Sequence, residues 1–98
     1  MVRLESASAT VAATLRALAN QRRLMLLCTL VASGEMRVAD LAQAVGLSQS
    51  ALSQHLALLR TEGLVAFRRD RQALWYRIAD ARVEALLATL HQLYCPED

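Results

Sequence analysis

The stretch that decides the fold is LSQSALSQHLALLR, Leu47 to Arg60. At 3.6 residues per turn, Ala51, Leu52, Leu56 and Leu59 form one apolar stripe. Gln49, Ser50, Ser53, Gln54 and Ala57 fall on the opposite side. That outer face is polar, short-chained and almost uncharged, where a solvated helix face ordinarily carries Glu and Lys pairs. Donors and acceptors on short side chains can approach a flat partner closely, and major-groove base edges are such a partner. Alone the pattern is weak, because Ser/Gln-rich faces also occur on helices that bind nothing. Its flanks carry the rest of the reading.

Upstream, ADLAQAV has helical period, with Asp40 in its first turn, where the helix dipole favours negative charge. Gly46 supplies a sharp turn and Ser48 an N-cap for the next helix. Residues 39–62 therefore have the helix-turn-helix layout. After Glu62-Gly63 the period changes from 3.6 to 2. Leu64 to Arg69 and Ala73 to Ile78 predict two strands around a turn at Asp70-Arg71-Gln72. The resulting hairpin, 64–78, has an arginine-rich tip and reads as a wing.

Working further outward, residues 1–5 are expected to fray, and 6–19 form a helix with Val11, Leu15 and Leu18 on one face. Asn20 caps a second helix, QRRLMLLCTLVA, which is apolar nearly all round and ends at Ser33-Gly34. It should be the central buried helix. A short extended piece, Glu35 to Val38, leads to the helix-turn-helix. The last helix lies within 79–95 and places Val83, Leu86, Leu87, Leu90, Leu93 and Tyr94 on its apolar side, with a stop at Pro96. The predicted fold is one domain over 1–98, mainly α with a small β-hairpin: a dimeric winged helix-turn-helix of order α-α-α-α-β-β-α.

Composition narrows the function. Ninety-eight residues build one core with little room for a deep catalytic cleft. With 55% hydrophobic and only 4% aromatic residues, the chain favours packed helices over sandwiches. Charged or amide residues interrupt every apolar run before membrane-spanning length, and VRLESASATV lacks a signal-peptide core. A cytoplasmic location and no membrane partner are expected. The net charge is only +2, but Arg60, Arg68, Arg69, Arg71 and Arg77 cluster against Glu62 and Asp70. All 11 basic residues are Arg, which removes lysine Schiff-base chemistry and leaves side chains suited to forked phosphate contacts.

A helix-turn-helix followed at once by a basic hairpin divides two tasks. Ser48, Gln49, Ser50, Ser53, Gln54 and His55 are the candidates for base edges of double-stranded DNA. Arg68, Arg69 and Arg71 are the candidates for phosphates, which give affinity without sequence information. The second helix already supplies a core, so the stripes of the first helix (Val11, Leu15, Leu18) and the last (Val83, Leu86, Leu87, Leu90, Tyr94) are surplus. Surplus stripes point to a homodimer, and a two-fold pair would read a roughly palindromic operator. Cys28 and Cys95 are not a constitutive staple in a reducing compartment. They are either small hydrophobic filler or a redox-active pair.

Three segments carry a family resemblance: LANQRRLMLLCTL (18–30), VADLAQAVGLSQSALSQHLALLRTEGLV (38–65) and RRDRQALWYRI (68–78). The chain resembles the ArsR/SmtB family of winged-helix repressors over nearly its whole length. The resemblance implies homodimers that leave their operator when an inducer, commonly a metal or metalloid, binds or reacts. The family's metal positions fail here. Arsenic- and cadmium-type members carry two cysteines in a stretch resembling EMRVADL, where this chain has Arg37 and Ala39. Zinc-type members carry Asp-x-His and a further His in the last helix; here Asp80 is kept, but Arg82 and Leu93 fill the His positions. His91 is expected to cap or face solvent, and neither a metal nor any other cofactor is expected.

The sulfur- and redox-sensing branch of the family does match. Its members carry one cysteine in the second helix and one near the end of the last, as Cys28 and Cys95 do. That branch implies that the reduced protein binds its operator. Reactive sulfur species or oxidants then link the two sulfurs, directly or through further sulfur atoms, and binding weakens. Cys95, near a chain end, is expected to be attacked first and Cys28 to resolve it. Some members of the branch are implied to displace a silencing protein instead, so repressor and anti-silencer both stay open. An enzyme such as a thiol peroxidase would require Cys-x-x-Cys or a thiol-activating His, and neither is visible, so no catalytic residues are expected. A winged helix that binds protein would tend to lose the polar face and the basic wing, and both are present here.

Overall fold

A computed structural model describes residues 2–95. Chain order is α1 (Val2–Leu18), α2 (Gln21–Ser33), β1 (Met36–Arg37), α3 (Val38–Val45), α4 (Gln49–Thr61), β2 (Val65–Asp70), β3 (Ala73–Ile78) and α5 (Ala81–Tyr94). The helix boundaries follow local chemistry. Asn20 accepts a hydrogen bond from the Arg23 N–H, Ser48 from Ala51 and Asp80 from Arg82, each satisfying a donor that the first helical turn leaves unpaired. Gly46 ends α3 in the left-handed conformation at φ 72°, open to glycine without steric cost, and turns the chain towards α4.

Of residues 1–5, expected to fray, Val2 to Glu5 lie in the first turn of α1 and Met1 lies outside the described residues. Ser6 and Ser8 donate to the carbonyls of Arg3 and Glu5 at 3.0 and 2.8 Å, so their hydroxyls bond back to the preceding turn while the backbone stays helical. At the other end the Cys95 N–H closes α5 on the His91 carbonyl at 2.7 Å; the expected stop at Pro96 lies outside the described residues.

The wing is one strand larger than its sequence suggests. β1, β3 and β2 form an antiparallel sheet in that order, with Met36 opposite Tyr76 and Arg37 opposite Trp75. The hairpin pairs Phe67 with Tyr76 and Arg68 with Trp75, and a two-residue turn, Arg71-Gln72, joins its strands. Alternation puts Val65, Tyr76 and Ile78 into the core, with Phe67 against Tyr76 at 5.4 Å between ring centroids. Ala66, Arg68, Trp75 and Arg77 occupy the other face.

The core gathers Leu26, Leu27 and Leu30 of α2, Leu41 of α3 and Leu52, Leu56 and Leu59 of α4, all at 0% exposure. Each fully buried leucine contributes about 1.5–3 kcal/mol. α2 is thus central, as its sequence predicts. Three residues expected at a dimer interface belong to this core instead. Leu18, Val83 and Leu87 are buried within the single chain, because the inner edges of the α1 and α5 stripes close on α2 and the sheet.

Candidate nucleic-acid interface and thiol groove

α3 packs on the core through Leu41 and Ala42 and α4 through its leucine stripe, which fixes the rotation of both helices. Gln49, Ser50, Ser53 and Gln54 are then exposed along one side of α4. Two candidates stand apart. Ser48 is exposed but its hydroxyl caps α4 at 3.1 Å, so its first task is local. His55 is half-buried: three residues after Leu52 and one before Leu56, it sits beside the apolar stripe rather than on the polar face. Leu58, 53% exposed, is an apolar side chain on the outside of α4 that the sequence reading did not single out.

The wing arginines also separate. Arg68 and Arg69 are neighbours on β2 and therefore point to opposite faces of the sheet. Arg68 Nη2 and Nε donate to the Glu35 carboxylate at 2.6 and 3.1 Å, a forked pair that pulls the Glu35 carboxyl below its usual pKa. Arg68, expected at a phosphate, has a carboxylate partner within the free chain and remains exposed. Arg69 and Arg71 are exposed, and neither has an ion pair among the described residues. Arg71 adopts φ 60°, uncommon outside glycine, and so stands at the hairpin tip. On the core-facing side Arg60, at the end of α4, lies over the Phe67 ring at 5.0 Å and joins the helix to the wing.

Both cysteines are free thiols, Cys28 half-buried on α2 and Cys95 exposed at the end of α5. They open onto one groove of about 410 Å³, lined also by Leu24, Met25, Leu90, His91 and Tyr94. Burial pushes the Cys28 thiol pKa up, and the proximity of Cys95 adds to the rise. His91 is exposed, as expected, yet it lines the same groove one helical turn before Cys95. The signal that could have found it is the i,i+4 spacing of His91 and Cys95 on α5. Near the groove and on α1, Val11, Leu15, Met25, Leu93 and Tyr94 are 44–80% exposed, as is Leu4 at 59%, while Leu86 and Leu90 are half-buried.

The model of the bacterial regulatory protein arsR family matches residues 20–66, the span from the cap of α2 into β2. The transcriptional activator HlyU of Vibrio cholerae is 46% identical over 94% of this chain and 84% of its own length. The chain belongs to the arsR family. The regulator YgaV of Escherichia coli is 41% identical over 98% of this chain and 97% of its own. Among solved structures, the transcriptional repressor BigR of Xylella fastidiosa superposes with a TM-score of 0.86 at 39% identity, covering 95% of this chain and 94% of that one. This arsR-family chain is accordingly a DNA-binding transcriptional regulator with a winged helix-turn-helix fold. No helix among the described residues is long and apolar enough to cross a membrane.

A family metal does not fit the residues present. Asp80, the one retained position of the zinc-type pattern, caps α5 and binds Arg82 through two contacts at 3.1 and 2.8 Å. The Arg82 guanidinium holds the Asp80 carboxyl down at about 2. With Arg in place of His, the carboxylate that would serve a metal is consumed by a neighbour. Among the described residues no three His, Cys, Asp or Glu side chains gather at metal-binding distance.

Proposed function

We propose that this regulator is a homodimeric repressor that leaves its operator when reactive sulfur species or oxidants bridge Cys28 and Cys95. The observation that carries the reading is the shared groove: one exposed and one half-buried thiol, on two different helices, open onto the same apolar space. Gln49, Ser50, Ser53 and Gln54 read base edges, and Arg69 and Arg71 neutralise phosphates. The exposed stripes of α1 and α5 hold the two copies together.

The chemistry balances without a cofactor. The Cys95 thiolate attacks the outer sulfur of an organic persulfide, forms Cys95–SSH and expels a thiolate. Cys28 then attacks the Cys95 sulfur and displaces hydrogen sulfide, leaving a disulfide. The persulfide is reduced to a thiol and hydrogen sulfide, and the two cysteines are oxidised. Burial disfavours the Cys28 thiolate, and its place in the same groove as Cys95 offsets this by proximity in the second step. A bridge ties the end of α5 to α2, and Leu93 and Tyr94 sit at that end. Moving them shifts the partner copy and the spacing of the two α4 helices, which the pitch of the duplex fixes.

Mass spectrometry after persulfide treatment, run beside a gel shift of the same samples, tests this. Bridged protein should release a duplex selected from a random library. If the Cys28→Ser, Cys95→Ser double variant still releases that duplex on treatment, the sulfur reading is wrong. The relatives include both an activator, HlyU, and a repressor, BigR. Transcription from a template with the selected duplex overlapping the promoter separates the two: repression by the reduced protein supports the reading, and activation overturns it.

A further inference from the structure

We infer that Glu35 is a positioning residue for DNA binding: its ion pair with Arg68 straps the wing, over Trp75, to the strand that opens the helix-turn-helix. The sheet order makes this a strap rather than a local contact. β3 lies between β1 and β2, so Arg68 must cross the whole of β3 to reach Glu35, next to β1 and 33 residues away. It does so over the indole, with its guanidinium carbon 5.5 Å from the Trp75 ring centroid. Arg37 approaches the same ring from β1 at 5.4 Å and is held in turn by Asp40, in the first turn of α3, at 3.0 Å. Glu35, Arg37, Trp75 and Arg68 thus form one connected layer on the outer face of the sheet.

The backbone does not secure this junction by itself. β1 has two residues, Met36 and Arg37, while β2 and β3 pair over six. The hairpin could therefore hinge about a two-residue ladder. Arg37 is the last residue of β1 and also occupies the N-cap position of α3, so any hinge there changes the angle between the wing and the helix-turn-helix. A forked Arg–carboxylate pair fixes direction as well as distance. The strap accordingly sets where Arg69 and Arg71 stand relative to α4.

Charge makes the test one of sign. Glu35 is an acid in a protein that binds a polyanion, so removing it should by electrostatics alone tighten binding. If it positions the wing, Glu35→Gln should instead weaken binding to a library-selected duplex about three- to tenfold, with an unchanged salt slope and an unchanged Tm. Hydrogen exchange at the β1 and β3 amides of the free protein should accelerate. A charge-swapped double variant, Glu35→Arg with Arg68→Glu, should recover slow exchange and most of the affinity. The inference rests on the wing lying against DNA, and the exchange measurement keeps the two separable. Unchanged exchange in Glu35→Gln overturns the strap itself. Faster exchange with equal or tighter binding overturns its role in placing the wing, and a steeper salt slope would show Arg68 released to a phosphate instead.

Discussion

The reading unit and the terminal helices treat their leucines in opposite ways. α4 buries Leu52, Leu56 and Leu59 to 0% exposure inside one chain, whereas Val11 and Leu15 of α1 remain 44% and 51% exposed. α3, α4 and the wing cover their leucine stripe within a single copy, and apart from Leu58 the outer side of α4 is polar. α1 and α5 are half complete, since Leu18, Val83 and Leu87 found the core while Leu15, Leu93 and Tyr94 did not. A stripe can thus be split, its inner edge holding the monomer and its outer edge left exposed.

That contrast can be broken most forcefully from the inside. Leu56→Ala removes a side chain with no exposure and should cost about 2–5 kcal/mol of folding stability, read as a lower denaturation midpoint. A loss below about 1 kcal/mol would mean that α4 is not anchored as described. From the outside, Leu15→Glu should leave the monomer folded but separate the pair. Duplex affinity should then fall about a hundredfold, because the second half-site is no longer an intramolecular partner. A fully dimeric Leu15→Glu protein in sedimentation would contradict the split stripe.

A subtler effect concerns the wing tip. Arg71→Gly removes a non-glycine residue from φ 60° and should hold or raise stability, by up to about 1 kcal/mol, while duplex affinity and salt slope both fall. Lower stability together with unchanged binding would count against the tip as a phosphate contact. The smallest effect is in acid. The Asp80 pKa is depressed to about 2 from 3.8, so its contribution is fully present above about pH 4 and is lost as pH falls through about 2. Asp80→Asn should flatten that part of the stability profile, and an unaltered profile would show that the α5 cap contributes nothing there.

Much of this was legible in the chain. Caps at Asn20 and Ser48, the turn at Gly46 and the switch from helical to strand period after Gly63 are local chemistry, and each stands where the sequence puts it. Periodicity also identifies the stripes of α1 and α5, but a stripe does not say which partner covers it; Leu18, Val83 and Leu87, expected at a dimer interface, are covered by the chain's own core. Leu4, 59% exposed on α1, falls outside the helix expected from residue 6, because Arg3, Glu5 and Ser6 show no helical stripe. Arg68 and Arg69 look alike as letters, and only the sheet face separates them. Glu35 could not have been paired with Arg68, since no local rule spans 33 residues and an intervening strand.

The central claim is that two copies, joined by the outer edges of α1 and α5, present two α4 helices to one duplex. Sedimentation of the reduced protein with a library-selected duplex at low ionic strength measures it directly. The account predicts two chains per duplex on inverted half-sites about 10 base pairs apart, with affinity falling steeply as salt rises. One chain bound to a single half-site, or no binding at low ionic strength, would contradict it.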